Sequence, residues 1–187
     1  MTGSTDAAPS ANVVAIRHAV PADYPEIARI TVAAYLASGH FDPESPYLRH
    51  IADVADRHQD AEIWVAELAG SIVGAVTLVR SGSRYADIAL QGELEFRMLA
   101  VDPGVQRSGA GRAMVRAIVD HARRLDGVYA VSLTTGEMWG VPRRLYASEG
   151  FVHAPERDWL VPGTDIRLVV YVLDLGGPDA AAVPPGD

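Results

Sequence analysis

The sequence contains neither cysteine nor lysine; all 16 of its basic residues are arginine. Without cysteine there is no disulfide, no thiolate metal site and no thiol nucleophile, and a cytoplasmic location becomes the default expectation. Without lysine there is no Schiff-base amine and no phosphate loop of the GxxxxGK[ST] type. Long apolar runs are missing as well: none approaches the ~18 residues that a membrane span needs, so no membrane partner is expected. The first ten residues, MTGSTDAAPS, lack a basic start and an apolar stretch, so no secretory signal is expected. His40, His50 and His58 do not have zinc-site spacing, and no metal is expected. A net charge of −8, with a pI near 5.2, argues against nucleic acid as a partner, since that needs a basic face.

What is present suits one globular domain. The chain has 187 residues, 49% of them hydrophobic and 21% charged, enough to bury a sizeable core. The charge is uneven. From Glu95 to Arg124 six arginines face only Glu95, Asp102 and Asp120, a basic island in an acidic chain. Such an island suits a small anionic ligand, or else a solvated helix face with pairs such as Arg116–Asp120. Arg107 and Arg112 stand apart because they flank glycines.

Hydrophobic periodicity predicts a strand over 13–18, a helix from Pro21 to about Ala34, and a second helix from Pro46 to His58 after the break SGHFDPESP. Strands follow over 61–68 and 71–79 around the turn Ala69-Gly70, and over Glu93 to Val101, where the alternation weakens at Phe96-Arg97-Met98. Gly109 to Leu125 is the clearest helix, and Val128 to Thr134 a buried strand, giving a βαβ crossover with parallel strands. A short helix over 142–149, a brief strand at Phe151-Val152 and a long strand over 166–175 complete a single domain at 13–175. The tails 1–12 and 176–187 are expected to be flexible.

The chain is organised around LAVDPGVQRSGAGRAM, Leu99 to Met114. A strand that feeds a glycine turn and then a helix start aims several unpartnered N–H groups into one small space, which is an anion site. The missing lysine excludes a nucleotide-triphosphate loop. A GxGxxG dinucleotide fingerprint needs a glycine where Met114 stands. The remaining pattern is Gln106-x-x-Gly109-x-Gly111.

Three segments in order resemble the GNAT (Gcn5-related N-acetyltransferase) superfamily: the strand ELEFRMLAVDP, the loop QRSGAG, and RRLYASEGF, which is similar to the family's LYxxxGF segment. The resemblance covers about Val13 to Leu175. It implies an α+β fold, with a central mixed, mostly antiparallel sheet of about six to seven strands flanked by about four helices. It also implies acetyl-CoA as co-substrate, and direct acetyl transfer to a primary amine of a small molecule or peptide through a ternary complex. A non-catalytic acyl-CoA-binding module of the same fold is the alternative.

By the same resemblance, the backbone of Leu99, Ala100 and Val101 would pair with the pantetheine arm. Gln106, Arg107, Ser108, Gly109, Ala110, Gly111 and Arg112 would hold the pyrophosphate. Tyr146 would protonate the departing thiolate, and Glu95 would serve as base or, alternatively, only pair with an arginine. The family's Asn-x-x-Ala is replaced by Trp139 and Pro142. Tyr35, Phe41, Trp139 and Trp159 are candidate walls of the acceptor site, with Glu156 and Asp158 suited to a cationic amine. A homodimer is left open.

Overall fold

A computed structural model describes residues 13–105 and 107–177. Gln106 and the tail segments 1–12 and 178–187 lie outside the described residues. The strands are β1 (Ala15–His18), β2 (Glu62–Leu68), β3 (Ser71–Arg80), β4 (Glu93–Val101), β5 (Ala130–Gly136), β6 (Val152–His153), β7 (Trp159–Leu160) and β8 (Arg167–Asp174). The helices are α1 (Tyr24–Ala37), α2 (Pro46–Ala52), α3 (Val54–Arg57), α4 (Ala110–Ala122) and α5 (Gly140–Ser148). One sheet runs in the order β1-β2-β3-β4-β5-β8-β6, with β7 also on β8. Every pairing is antiparallel except β4 with β5, which the α4 crossover makes parallel.

The fold is the expected α+β sheet, with two differences of detail. The helix expected over 46–58 breaks at Asp53. Its backbone (φ −79°, ψ 76°) leaves the helical region, while its carboxylate accepts the Asp56 N–H at 3.0 Å and caps α3. A short acidic side chain that bonds its own neighbours competes with helix continuation. The two-residue β7 was not expected.

Each face of the sheet has its own layer. On one, Met114, Val115 and Ile118 of α4 and Tyr146 of α5 pack on Leu94, Phe96, Val131 and Leu133. The amphipathic stripe of α4 makes this the largest apolar cluster, and such burial is the main drive to fold. On the other face, Ile27 of α1 and Val54 of α3 cover Ile63, Val65 and Ala75, and Leu48 and Ile51 of α2 cover Met98. No described helix is long and apolar enough to cross a membrane.

Candidate active site

The site begins at a split in the sheet. β4 and β5 pair only from Glu93 to Glu95, opposite Ala130 to Ser132. Beyond that, β5 continues to Gly136 on β8 alone. The second half of β4 therefore keeps β3 on one side and has no strand on the other. A β-bulge sits at the split. Ala75 pairs with Ala100 and Thr77 with Arg97, so Met98 and Leu99 together face Val76. Met98 takes a left-handed φ of 51°, a strained state for a side chain of this size. The bulge sends Met98 into the α1–α2 layer and Leu99 towards the α4 layer. Leu99, Ala100 and Val101 thus present an open backbone edge with the spacing of a missing strand.

The open edge runs into the glycine loop. Gly109 is left-handed (φ 83°) and stands at the N-cap of α4, where a non-glycine residue would be strained. Arg107 is also left-handed (φ 68°). The Ser108 hydroxyl accepts the Ala110 N–H at 3.3 Å, leaving the next N–H groups of the helix free to meet an anion. Three motifs separated in sequence converge at Gly111. A Cβ there would lie 3.5 Å from Leu145 of α5 and 3.6 Å from Val101 of β4. Arg112 and Arg116 turn away from the loop and pair with Glu149 at the end of α5, Arg116 at 2.8 Å. Gln106, expected in this loop, lies outside the described residues.

Tyr146 occupies the split from the α5 side. It is 6% exposed and packs edge-on against Phe96 of β4 at 5.6 Å and Phe151 at 6.2 Å. Burial alone pushes its hydroxyl well above the ordinary tyrosine range. Its ring also lies 6.4 Å from that of Tyr171 on β8.

That other half is built from one face of β4. Glu93, Glu95 and Arg97, two residues apart, all reach the 81–92 segment between β3 and β4. Glu93 pairs with Arg157 through two bonds of 2.8 Å and accepts the Leu90 N–H. Arg97 donates to the Tyr85 carbonyl and pairs with Asp87. Glu95 is 0% exposed and accepts N–H groups from Asp87, Ile88 and Ala89 at 3.0–3.1 Å. Burial raises its pKa more than the Ile88 N–H, the Arg97 charge and the Ala89 N–H lower it. Glu95, expected as a base or as the partner of an arginine, is a buried carboxylate whose Oε2 accepts three backbone N–H groups and whose Oε1 lies 3.5 Å from Arg97 Nε.

Three of the four expected acceptor walls meet in one aromatic cluster. Tyr35 lies 5.1 Å from Phe41 and 6.5 Å from Trp139, and Phe41 lies 6.2 Å from Trp139. Tyr47, which the sequence did not single out, joins them and stacks on Phe41 at 5.6 Å. Trp139 also covers Gly136, where a Cβ would come within 2.6 Å of its ring. Trp159 lies apart from this cluster. It lines a cleft of about 470 Å³ with Tyr47, His50, Tyr85, Asp87 and Arg97. Asp158, expected to attract an amine, is held by His153 at 3.0 Å, Arg167 and the Val170 N–H. Glu156 is exposed and does not line the cleft. No cluster of metal-ligating groups occurs among the described residues.

The acetyltransferase (GNAT) domain, compared as a family pattern, matches residues 59–153, from before β2 through α5 and β6. Solved structures share the fold. The Salmonella typhimurium protein YncA, solved with its cofactor acetyl-CoA, is 24% identical with a TM-score of 0.64, over 90% of this chain and 99% of that one. The ribosomal-protein-S18-alanine N-acetyltransferase of Escherichia coli is 19% identical with a TM-score of 0.64, over 89% and 98%. An N-acetyltransferase from Staphylococcus aureus is 21% identical with a TM-score of 0.65, over 88% and 99%. No curated protein sequence matches the chain.

Proposed function

The chain belongs to the GNAT acetyltransferase family, and from that premise we propose that it is an acetyl-CoA-dependent N-acetyltransferase working by direct transfer in a ternary complex. The observation that carries this is the convergence at Gly111. There the open edge of β4, the first turn of α4 and the helix bearing Tyr146 come within side-chain contact. An unpaired strand edge fits a linear amide-bearing arm, and the left-handed loop with its free helix N–H groups fits a pyrophosphate. Acetyl-CoA, when bound, supplies an activated thioester.

In this reading Leu99, Ala100 and Val101 fix the arm through backbone bonds, while Arg107, Ser108, Gly109, Ala110 and Gly111 surround the phosphates. Arg112 ties the first turn of α4 to Glu149 at the end of α5. Tyr146 holds a proton on its hydroxyl oxygen throughout the working pH range, because burial disfavours the tyrosinate. The proton moves to sulfur only as negative charge gathers there. General-acid assistance of this kind is worth ~10²–10⁴-fold. Glu95 acts at one remove, as the positioning residue that holds the 81–92 wall. The acceptor is a primary amine in the cleft beside that wall, and the cysteine-free chain suits a cytoplasmic setting.

Free-CoA release with a panel of primary amines tests the reading. Tyr146→Phe is expected to lower kcat by ~10²-fold or more with CoA affinity unchanged. Tight acetyl-CoA binding without release on any amine would instead favour an acyl-CoA-binding module.

A further inference from the structure

Aromatic rings run without a break from the end of β5 to the cleft beside the 81–92 segment. Trp139 lies 6.2 Å from Phe41, and Phe41 stacks on Tyr47 at 5.6 Å. Tyr47 in turn lies 6.2 Å from His50, which stacks on Tyr85 at 5.8 Å. Tyr47, His50 and Tyr85 line the cleft, together with Trp159 of β7 and Pro162. These rings come from three separate parts of the chain. Tyr47 and His50 are three residues apart on α2 and so share one face of it. Tyr85 is buried and donates its hydroxyl to Asp56, while Tyr47 and Trp159 are half-buried and His50 is exposed.

The charged groups of the same wall are committed to one another. Arg84 pairs with Asp56 at 2.9 Å and with Asp60, and Arg97 pairs with Asp87 and lies 3.5 Å from Glu95. Each guanidinium therefore faces two carboxylates, and neither is left over for an anionic ligand. What the cleft offers a ligand is ring surface. It also abuts the open edge of β4, because Arg97, on its wall, immediately precedes the bulge at Met98 and Leu99.

We propose that the acceptor is an arylalkylamine, a primary amine on a flat aromatic body without a carboxylate, whose ring lies among Tyr47, His50 and Trp159. This rests on the acetyltransferase reading and narrows its substrate class. A flat ring gains offset or edge contacts with the rings around it, beyond what burial of the same area supplies. A carboxylate on the same body would face the negative faces of those rings and carboxylates already paired, with no free cation to meet it. A purely aliphatic diamine would leave the rings without a partner, and its second ammonium would compete with arginines for acids they already hold.

Four probes decide the matter: 2-phenylethylamine, 2-cyclohexylethylamine, phenylalanine and 1,5-diaminopentane. Binding is measured calorimetrically in the presence of CoA, and turnover by free-CoA release from acetyl-CoA. The phenyl amine is expected to bind ~2- to 10-fold more tightly than its cyclohexyl counterpart, the range that ring pairing supplies. It should bind at least ~10-fold more tightly than phenylalanine or the diamine. His50→Leu and Trp159→Leu, which keep apolar bulk and remove a ring, should each shrink the phenyl-over-cyclohexyl advantage. His50 is exposed, so its variant decides if the Trp159 variant does not fold. The proposal is overturned if phenylalanine, the diamine or the cyclohexyl amine binds as well as the phenyl amine, if the phenyl amine does not bind, or if its advantage survives both substitutions. If no compound releases CoA, the acetyltransferase reading fails, while the order of binding still decides this one.

Discussion

After the bulge at Met98, β4 offers backbone: an unpaired edge, a left-handed glycine and the first N–H groups of α4. Before the bulge, the same strand offers side chains, with Glu93, Glu95 and Arg97 reaching across to hold the 81–92 segment. The half after the bulge suits a ligand whose binding groups do not vary, because main-chain donors depend little on residue identity. The half before it is a wall whose position depends on three charged groups being filled. Its interior is set by residues from distant elements, including Tyr47, His50 and Trp159. A cofactor grip and an acceptor cleft can thus share one strand and still respond differently to substitution.

Substitutions should separate the halves. Glu95→Ala leaves three loop N–H groups without an acceptor and opens a void, at an expected cost of about 4 kcal/mol in chemical unfolding. The CoA affinity of the folded fraction should stay unchanged. Glu95→Gln keeps an acceptor and sharpens the point. If the carboxyl only positions the wall, the acid limb of the pH–rate profile survives in this variant; loss of that limb would return the residue to a base.

Glu93→Gln comes next, at about 3 kcal/mol near neutral pH, since it breaks a bidentate buried pair. The pH dependence has a definite sign. Burial pushes the Glu93 carboxyl up, but Arg157 and the Leu90 N–H outweigh it and hold the pKa below the ordinary value. Its contribution is therefore complete above the usual carboxylate range and fades as pH falls through the lowered pKa. Wild-type and variant stabilities should converge in acid. Glu95, with a raised pKa, behaves oppositely: its contribution is greatest in acid and declines as pH rises through its folded value.

Gly109→Ala has the smallest effect. It forces a left-handed alanine at the head of α4, at about 1–2 kcal/mol. Here the pattern reverses. Calorimetric CoA affinity should fall several-fold, while the 81–92 wall keeps its hydrogen-exchange protection.

The half proposed to hold the cofactor is signalled locally. The glycines of the 106–111 pattern fall at a left-handed turn (Gly109) and at the close approach of β4 and α5 (Gly111), while Gln106 lies outside the described residues. The weakened alternation at Phe96-Arg97-Met98 is, in the structure, the bulge itself. The acceptor half was only partly legible. Tyr35, Phe41 and Trp139 do assemble, but Tyr47 carries no local pattern, and its place follows from what it meets across the fold. Asp158 shows the converse. As a sequence feature it reads as a free acid, and in the fold it is consumed by His153, Arg167 and a strand N–H.

The anchoring of 81–92 by alternate residues of β4 also bears on how the protein can be altered. Because Glu93, Glu95 and Arg97 belong to the strand, the segment between β3 and β4 can be exchanged as a cassette, provided its replacement offers N–H groups near the positions of Ile88 and Ala89. Lengthening or shortening β4 itself by a single residue has no such tolerance. It would turn the three anchors to the opposite face and move the bulge out of step with β3, undoing the wall and the open edge at one stroke.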